Sequence, residues 1–431
     1  MHLTIHRGSK EIGGTLIELK TETTRILIDA GYPLFLNNAP IEDNIANLPP
    51  TELLNLGVLP KIKGLYSWDS PDFNAVVISH AHIDHYGLLK YINPAIPVYM
   101  SKGTEKLIQI SQRFHICDCF DLDIRNFSMH KQIQIGDMRI KPHLMDHSAF
   151  DAAAFEITNE DKTIVYSGDF RGHGRKSKCL DYFIQTVKKH PEILLIEGSM
   201  LGRLDEQMMT ESEIEAAIVE RMGSRKGPLL FQCSSQNIDR LVSFYRAALR
   251  LNRKFVVDVY TANILHELRK LGNNLPYPSP EYPNIKVFFP FKLTRKIFND
   301  IGEEYALRFT DYYISRDRLK TDQESLVMGS RPSMRVDIEK CGLHDGVFLY
   351  SLWKGYRNES NQQSFEKSLE ERGFSLEALH TSGHASVIDI KRVINSLDPQ
   401  KVVPIHTLHP GAFCEFSDRT ELQEDGVAFE V

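Results

Sequence analysis

Ser79-His80-Ala81-His82-Ile83-Asp84-His85-Tyr86-Gly87 puts three imidazoles and a carboxylate into six residues, directly after the apolar run Ala75-Val76-Val77-Ile78. Imidazole nitrogen and carboxylate oxygen suit a borderline cation such as zinc. A strand ending here would leave His80 and His82 pointing the same way, with Asp84 and His85 free to turn towards a second ion. The bland alternative, a solvated polar turn with incidental histidines, does not account for this density of ligand types.

The rest of the chain sets the limits. Its 431 residues are 42% hydrophobic and 25% charged, enough for a large core and for two domains. A formal net charge of -6 argues against holding nucleic acid by bulk positive charge and leaves room for a local basic groove. Six scattered cysteines without a Cys-x-x-Cys pair read as reduced thiols, so metal chemistry rests on His and Asp. Neither a secretory leader nor an apolar stretch long enough to span a membrane is present, which predicts a cytoplasmic protein with no membrane partner.

Short β-branched runs that stop at an acid or an imidazole recur in the first two hundred residues. Ile26-Leu27-Ile28 stops at Asp29, Ile164-Val165-Tyr166 at Asp169 and Ile193-Leu194-Leu195-Ile196 at Glu197. Near the C-terminus Val402-Val403-Pro404-Ile405 stops at His406, predicting a segment that returns to the first sheet. In between, strands alternate with amphipathic helices. Strands are predicted at 227–231, 254–260 and 346–350, helices at 237–251 and 261–271, and a loop at 272–290. The boundaries that follow are 1–204, an insert at 205–370, and a return segment at 371–431.

Further motifs stand at Met145-Asp146-His147-Ser148, Tyr166-Ser167-Gly168-Asp169, Ile196-Glu197-Gly198-Ser199, Thr381-Ser382-Gly383-His384-Ala385 and Pro404-Ile405-His406-Thr407. In this order they resemble the metallo-β-lactamase fold and, within it, the β-CASP nucleases such as RNase J and the endonuclease of pre-mRNA 3′-end cleavage. The resemblance implies an α/β architecture, an αββα metallo-β-lactamase domain with an inserted α/β β-CASP domain. It also implies one zinc on His80, His82 and His147, a second on Asp84, His85 and His406, and Asp169 bridging them. Manganese or magnesium are the substitutes to consider. Two such cations neutralise a phosphodiester and activate a nucleophile.

Other positions are carried over in the same way. Asp29 matches a first motif whose acid supports the metal site by hydrogen bonding, while capping the turn before Gly31 is an equal alternative. By resemblance His384 sits near the scissile phosphate as a proton donor and Glu197 orients it, making Asp84, Asp169, Glu197 and His384 the catalytic set. Ser382 and Gly383 would adjoin the nucleotide. RNA-cleaving members usually carry histidine at the place of His406, and His409 is the competitor for that role. In the insert, Ser235 and Asn237 precede a helix, and Arg331 and Ser333 occupy the place of a phosphate-contacting loop; a plain N-cap is the alternative reading of the former. Arg171-Gly172-His173-Gly174-Arg175-Lys176 reads as a basic rim or a solvated loop. His143 stays outside the ligand set.

The expectation is a dinuclear zinc ribonuclease acting on single-stranded RNA, with a DNA nuclease or another hydrolase of the same fold, and a non-catalytic RNA-binding scaffold, as the alternatives. Only residues 411–431 follow Pro410, short of the extra C-terminal domain that many RNase J proteins use in assembly, and homo-oligomerisation is left open.

Overall fold

Period-2 burial builds the first sheet. Leu3 and Ile5 on strand β1 (His2–Arg7) and Ile26 and Ile28 on β3 (Arg25–Ile28) turn one way, towards a shared interior. With β2 (Leu16–Lys20), β4 (Ala75–Val77), β5 (Val98–Ser101) and β6 (Ile124–Phe127) they run in the order β1-β2-β3-β4-β5-β6, and the C-terminal strand Ala428–Glu430 closes the β1 edge. The computed structural model describes every residue except 37–38, 43–44, 204–207, 224 and 272–273.

A second sheet comprises β7 (Ile133–Ile135), β8 (Met138–Leu144), β9 (Ala153–Asn159), β10 (Lys162–Tyr166), β11 (Ile193–Glu197) and the returning strand Lys401–Ile405, which pairs with β11 in parallel. Ile193, Leu195, Val403 and Ile405 join the core against the first sheet. Leu194, Ile196 and Val402 face the other way, onto Leu180 and Phe183 of helix Lys178–Thr186 and Ile390 and Val393 of helix Val387–Leu397. Each fully buried aliphatic side chain contributes roughly 1.5–3 kcal/mol, so a sheet covered on both faces holds its strand ends rigidly. The expected metallo-β-lactamase α/β layering is present.

The chain divides into two units, Met1–Ile108 with Cys117–Glu206 and Gly383–Val431, and Gln109–Ile116 with Gln207–Ser382. The boundary expected at 204/205 lies outside the described residues. The return expected at 371 comes at Gly383 instead, because Ser375–Ala378 is still a strand of the second unit's sheet.

That sheet is wholly parallel. Its strands are β12 (Leu229–Gln232), β13 (Lys254–Asp258), β14 (Ile285–Phe288), β15 (Leu326–Gly329), β16 (Val347–Tyr350) and β17 (Ser375–Ala378), ordered β14-β13-β15-β12-β16-β17. Strand β14 lies inside the segment read as loop. Its short apolar stretch is flanked by Pro and Asn, and only pairing with β13 reveals it. Helix Val259–Leu268 begins two residues before the expected 261, since the Asp258 side chain accepts the Thr261 N–H and ends the strand there.

Candidate metal centre

The site lies at one edge of the two sheets of the first unit. Asp29 follows β3, Ser79 and His80 follow β4, His147 follows β8, Asp169 follows β10, Glu197 ends β11 and His406 follows Lys401–Ile405. Asp29 (φ 58°) and His406 (φ 49°) hold the left-handed conformation that non-glycine residues avoid. Such backbone costs of order 1–3 kcal/mol per residue and persists where the surroundings over-determine it, as at functional sites.

Asp169 is the hub. Its Oδ2 lies 3.2 Å from His85 Nε2, 3.7 Å from His406 Nε2, 3.8 Å from His80 Nε2 and 4.0 Å from His147 Nε2. Ligands 2.0–2.2 Å from one tetrahedral cation stand roughly 3.3–3.6 Å from each other, so these separations are those of donors sharing ions. Asp84 Oδ2 is 3.8 Å from His85 Nε2 and 3.7 Å from His406 Nε2, and His82 Nδ1 is 3.1 Å from His147 Nε2. Three groups able to hold a cation are found among the described residues, His80-His82-His147-Asp169, Asp84-His85-His406 and Asp169-His384-His406. The first two contain the residues that the resemblance assigns to the two ions, and the third sets His384 within ligand distance of Asp169 and His406.

The donor atoms also pass a test of need. Asp169 Oδ2 and the Nε2 atoms of His80, His85 and His406 are buried and have no hydrogen-bond partner. An orphaned buried polar atom costs about 1–3 kcal/mol, and four at one point fit a divalent cation. Burial, followed by neighbouring imidazoles, pushes His80 and His147 well below the usual histidine pKa; burial likewise takes His82 down to about 4 and lowers His406. Neutral imidazole is the form that binds metal. Burial alone would raise Asp169, but the facing His406, His85 and His384 outweigh it and hold its carboxyl well below the usual range.

The other ring nitrogens are anchored. His147 Nδ1–H donates to the Gly383 carbonyl at 2.6 Å, and His85 Nδ1–H to Asp29 Oδ2 at 2.8 Å. His80 Nδ1 meets Ser79 Oγ at 3.0 Å, and that hydroxyl donates onward to Asp29. His406 Nδ1 accepts from the Gly13 N–H at 3.3 Å and meets Thr15 Oγ1 at 3.1 Å. At His147, His85 and His80 these contacts place a proton on Nδ1 and aim Nε2 inwards, while at His406 they fix the orientation of the ring. Asp29 also accepts from the Tyr166 hydroxyl at 2.6 Å and the Ser79 N–H at 2.7 Å, so it supports His85 and His80 rather than merely capping a turn. Ser79 and Tyr166 adjoin motifs in sequence and could have been suspected. Thr15, 391 positions from His406, carries no such signal.

Beside the hub, His384 Nδ1 sits 3.0 Å from Glu197 Oε2 and 3.6 Å from Asp169 Oδ2. Glu197 is fully buried and locked by the backbone N–H groups of Phe170 and Ser199. Burial would lower the His384 pKa, but the charges of Glu197 and Asp169 raise it to about 9.

Some expectations need correcting. Arg171 is not a rim residue but fully buried, paired with Asp146 at 3.4 Å, which also accepts the Gly174 N–H. A Cβ on Gly383 would meet Ser148 Oγ at 2.6 Å, so its missing side chain is needed for packing beside His147 as well as for any close approach of a nucleotide. His409 is exposed, its ring against Gly202, and joins none of the ligand groups found among the described residues; neither does His143, which faces Glu156. In the second unit, Ser235, Asp258, Thr261, Ser330 and Arg331 line one pocket, with Arg331 paired to Asp258 and 3.4 Å from Ser235 Oγ. Asn237 is the N-cap of helix Ile238–Arg250, and Ser333 is an exposed residue of the turn Pro332–Met334.

Comparison with known proteins agrees with this geometry. Residues 24–219 match the Beta-lactamase superfamily domain, and residues 366–412 match the Zn-dependent metallo-hydrolase RNA specificity domain. Ribonuclease J of Helicobacter pylori is 24% identical over 93% of this chain and 55% of its own length, and Ribonuclease J of Pyrococcus abyssi is 21% identical over 97% and 91%. The chain thus spans little more than half of the bacterial relative. A crystal structure of a protein of unknown function from Enterococcus faecalis superposes with a TM-score of 0.81 at 22% identity, covering 99% of both chains, which bears on the fold alone. The chain belongs to the β-CASP branch of the metallo-β-lactamase fold, the family of the RNase J-like proteins.

Proposed function

We propose that this chain is a metal-dependent ribonuclease that hydrolyses phosphodiester bonds of single-stranded RNA at a dinuclear zinc centre. The observation that carries the reading is the convergence of four orphaned buried donors, His80 Nε2, His85 Nε2, His406 Nε2 and Asp169 Oδ2, beside the His384–Glu197 pair. In this reading His80, His82 and His147 hold one ion, Asp84, His85 and His406 hold the other, and Asp169 bridges. Bound there, divalent cations supply the Lewis acidity and positive charge that phosphodiester hydrolysis requires.

The chain's own residues do the rest. Glu197, accepting the Nδ1 proton, keeps His384 in its charged form, so Nε2–H is available to protonate the departing oxygen. Asp29, Ser79 and the Gly383 carbonyl keep His85, His80 and His147 in the tautomer and orientation of a ligand, and Thr15 helps to orient His406. Ser235 and Arg331 are the phosphate-contacting candidates of the insert, with Ser382 and Gly383 nearer the reacting bond. The match to an RNA specificity domain and the histidine at 406 favour RNA over DNA.

Parallel assays of metal-loaded protein on single-stranded RNA, single-stranded DNA and a small phosphodiester test this. RNA should be cut, with cleavage lost to a chelator and restored by zinc or manganese. Inactivity on RNA with varied 5′ ends, at verified zinc occupancy, would overturn the proposal, and cleavage of DNA alone would transfer the centre to the other substrate.

A further inference from the structure

An apolar surface in the second unit has no covering element among the described residues. Helix Phe291–Lys296 runs on as a π-helical turn, Ile297–Ile301, a rare geometry that recurs at functional positions. Phe291 is 58% exposed and Phe298, seven residues on, 48%; Leu307 at 47% and Tyr313 at 51% continue the surface. Phe289, Thr294, Phe298, Leu307, Thr310 and Tyr313 line an open groove.

The charge around it selects the occupant. Residues 291–313 contain four basic and four acidic side chains, so nothing there draws a polyanion. Exposed Lys292 and Arg295 lie on the helix, and exposed Asp300, Glu303 and Asp311 on the turns beyond it, none in an ion pair with another described residue. A patch with both signs at different ends is complementary to itself under a two-fold axis. Four half-exposed large side chains offer roughly 400 Å² of apolar area per chain. Two copies would bury about 800 Å², the core of a standard interface of about 1,600 Å².

We propose that this face is an isologous interface, and that two copies of the chain pair through Phe291, Phe298, Leu307 and Tyr313, with Lys292 and Arg295 of each copy against acidic residues of the other. The test is sedimentation of the full, metal-loaded chain from 1 to 100 µM. Wild type should sediment as a dimer and Phe298→Ser should shift to monomer, with its zinc content and circular dichroism unchanged. Two charge-reversed chains, Lys292→Glu/Arg295→Glu and Asp300→Lys/Asp311→Lys, should each be monomeric alone and should dimerise when mixed, an outcome that a folding defect cannot imitate. Monomeric wild type at 100 µM would overturn the proposal, as would dimers of both reversed chains alone. If wild type is monomeric and Phe298→Ser weakens binding of single-stranded RNA, the face belongs to the nucleic acid instead.

Discussion

Two polar clusters in this molecule are each built around a buried carboxylate, Asp169 in one and Asp258 in the other, and differ in whether the surrounding groups already have partners. At the edge of the first unit's sheets, buried imidazoles and carboxylates meet with their inward atoms unpartnered. In the insert's pocket Arg331 already has Asp258, and Ser235 Oγ lies 2.8 Å from Thr261 Oγ1. The first arrangement is expensive without a cation and so demands one. The second is stable as it stands and can only exchange one partner for another, which limits what a ligand gains there. A site that must be filled and a site that is open to competition should respond differently to mutation.

The largest effect should come from breaking the first. Asp84→Ala removes a ligand of the Asp84-His85-His406 group and should lower RNA cleavage by on the order of 10³-fold or more while reducing zinc per chain. Unchanged zinc with lost activity would mean that Asp84 acts by some route other than metal binding. His384→Ala should lower kcat by roughly 10²–10⁴-fold, the usual worth of a positioned acid, with zinc retained. Equal zinc loss in both variants would make His384 a ligand, which its place 3.6 Å from Asp169 does not by itself forbid.

Next comes Asp29→Asn. The carboxylate accepts from His85, Ser79 and Tyr166 and is itself a member of none of the ligand groups found among the described residues. Zinc affinity, read by competition with a chelator, should fall roughly 10–100-fold. If affinity holds while the protein melts earlier, Asp29 serves the fold alone.

The same contrast explains how far the sequence could be read. Ligand motifs are local, since a strand end and the two or three residues after it suffice to state His80, His147 or His406, and the β-branched runs before them predict the strands. What orients the ligands is non-local. Thr15 reaches His406 and the Gly383 carbonyl reaches His147 only because distant strands end at one edge, and a backbone carbonyl leaves no mark in composition. Arg171 misled for a related reason. A basic residue in a glycine-rich loop looks solvated until the fold supplies Asp146. Strand β14 was hidden because its four residues are too short for periodicity to separate from their Pro-rich surroundings.

For the insert, Arg331→Ala should raise KM for RNA about 5-fold with kcat and zinc content nearly unchanged. A charged hydrogen bond is worth roughly 1.5–3 kcal/mol, and phosphate must first displace Asp258, which returns part of that. A fall in kcat at constant KM would place Arg331 in the chemistry and erase the distinction between the clusters.

The smallest effect tests a cluster of the first unit that is already satisfied. Glu18 lies 2.8 Å from His6 Nε2 and from Arg25 Nε. Burial alone would raise its pKa, but the hydrogen bonds of His6 and Arg25 and the charge of Arg25 outweigh it and hold the carboxyl at about 2. Between that value and the ordinary one near 4.5 the unfolded chain binds the extra proton, so the stabilisation is complete above about pH 5 and is lost as pH falls towards 2. In metal-free protein Glu18→Gln should cost about 1–2 kcal/mol at pH 7, measured by urea unfolding, and the gap to wild type should narrow steadily from pH 5 to pH 3.5. Zinc should leave that gap unmoved, because a carboxylate whose partners are all protein has no donor to offer an ion. A gap that widened on acidification would reverse the sign of the linkage and show that Glu18 is not held ionised by its neighbours.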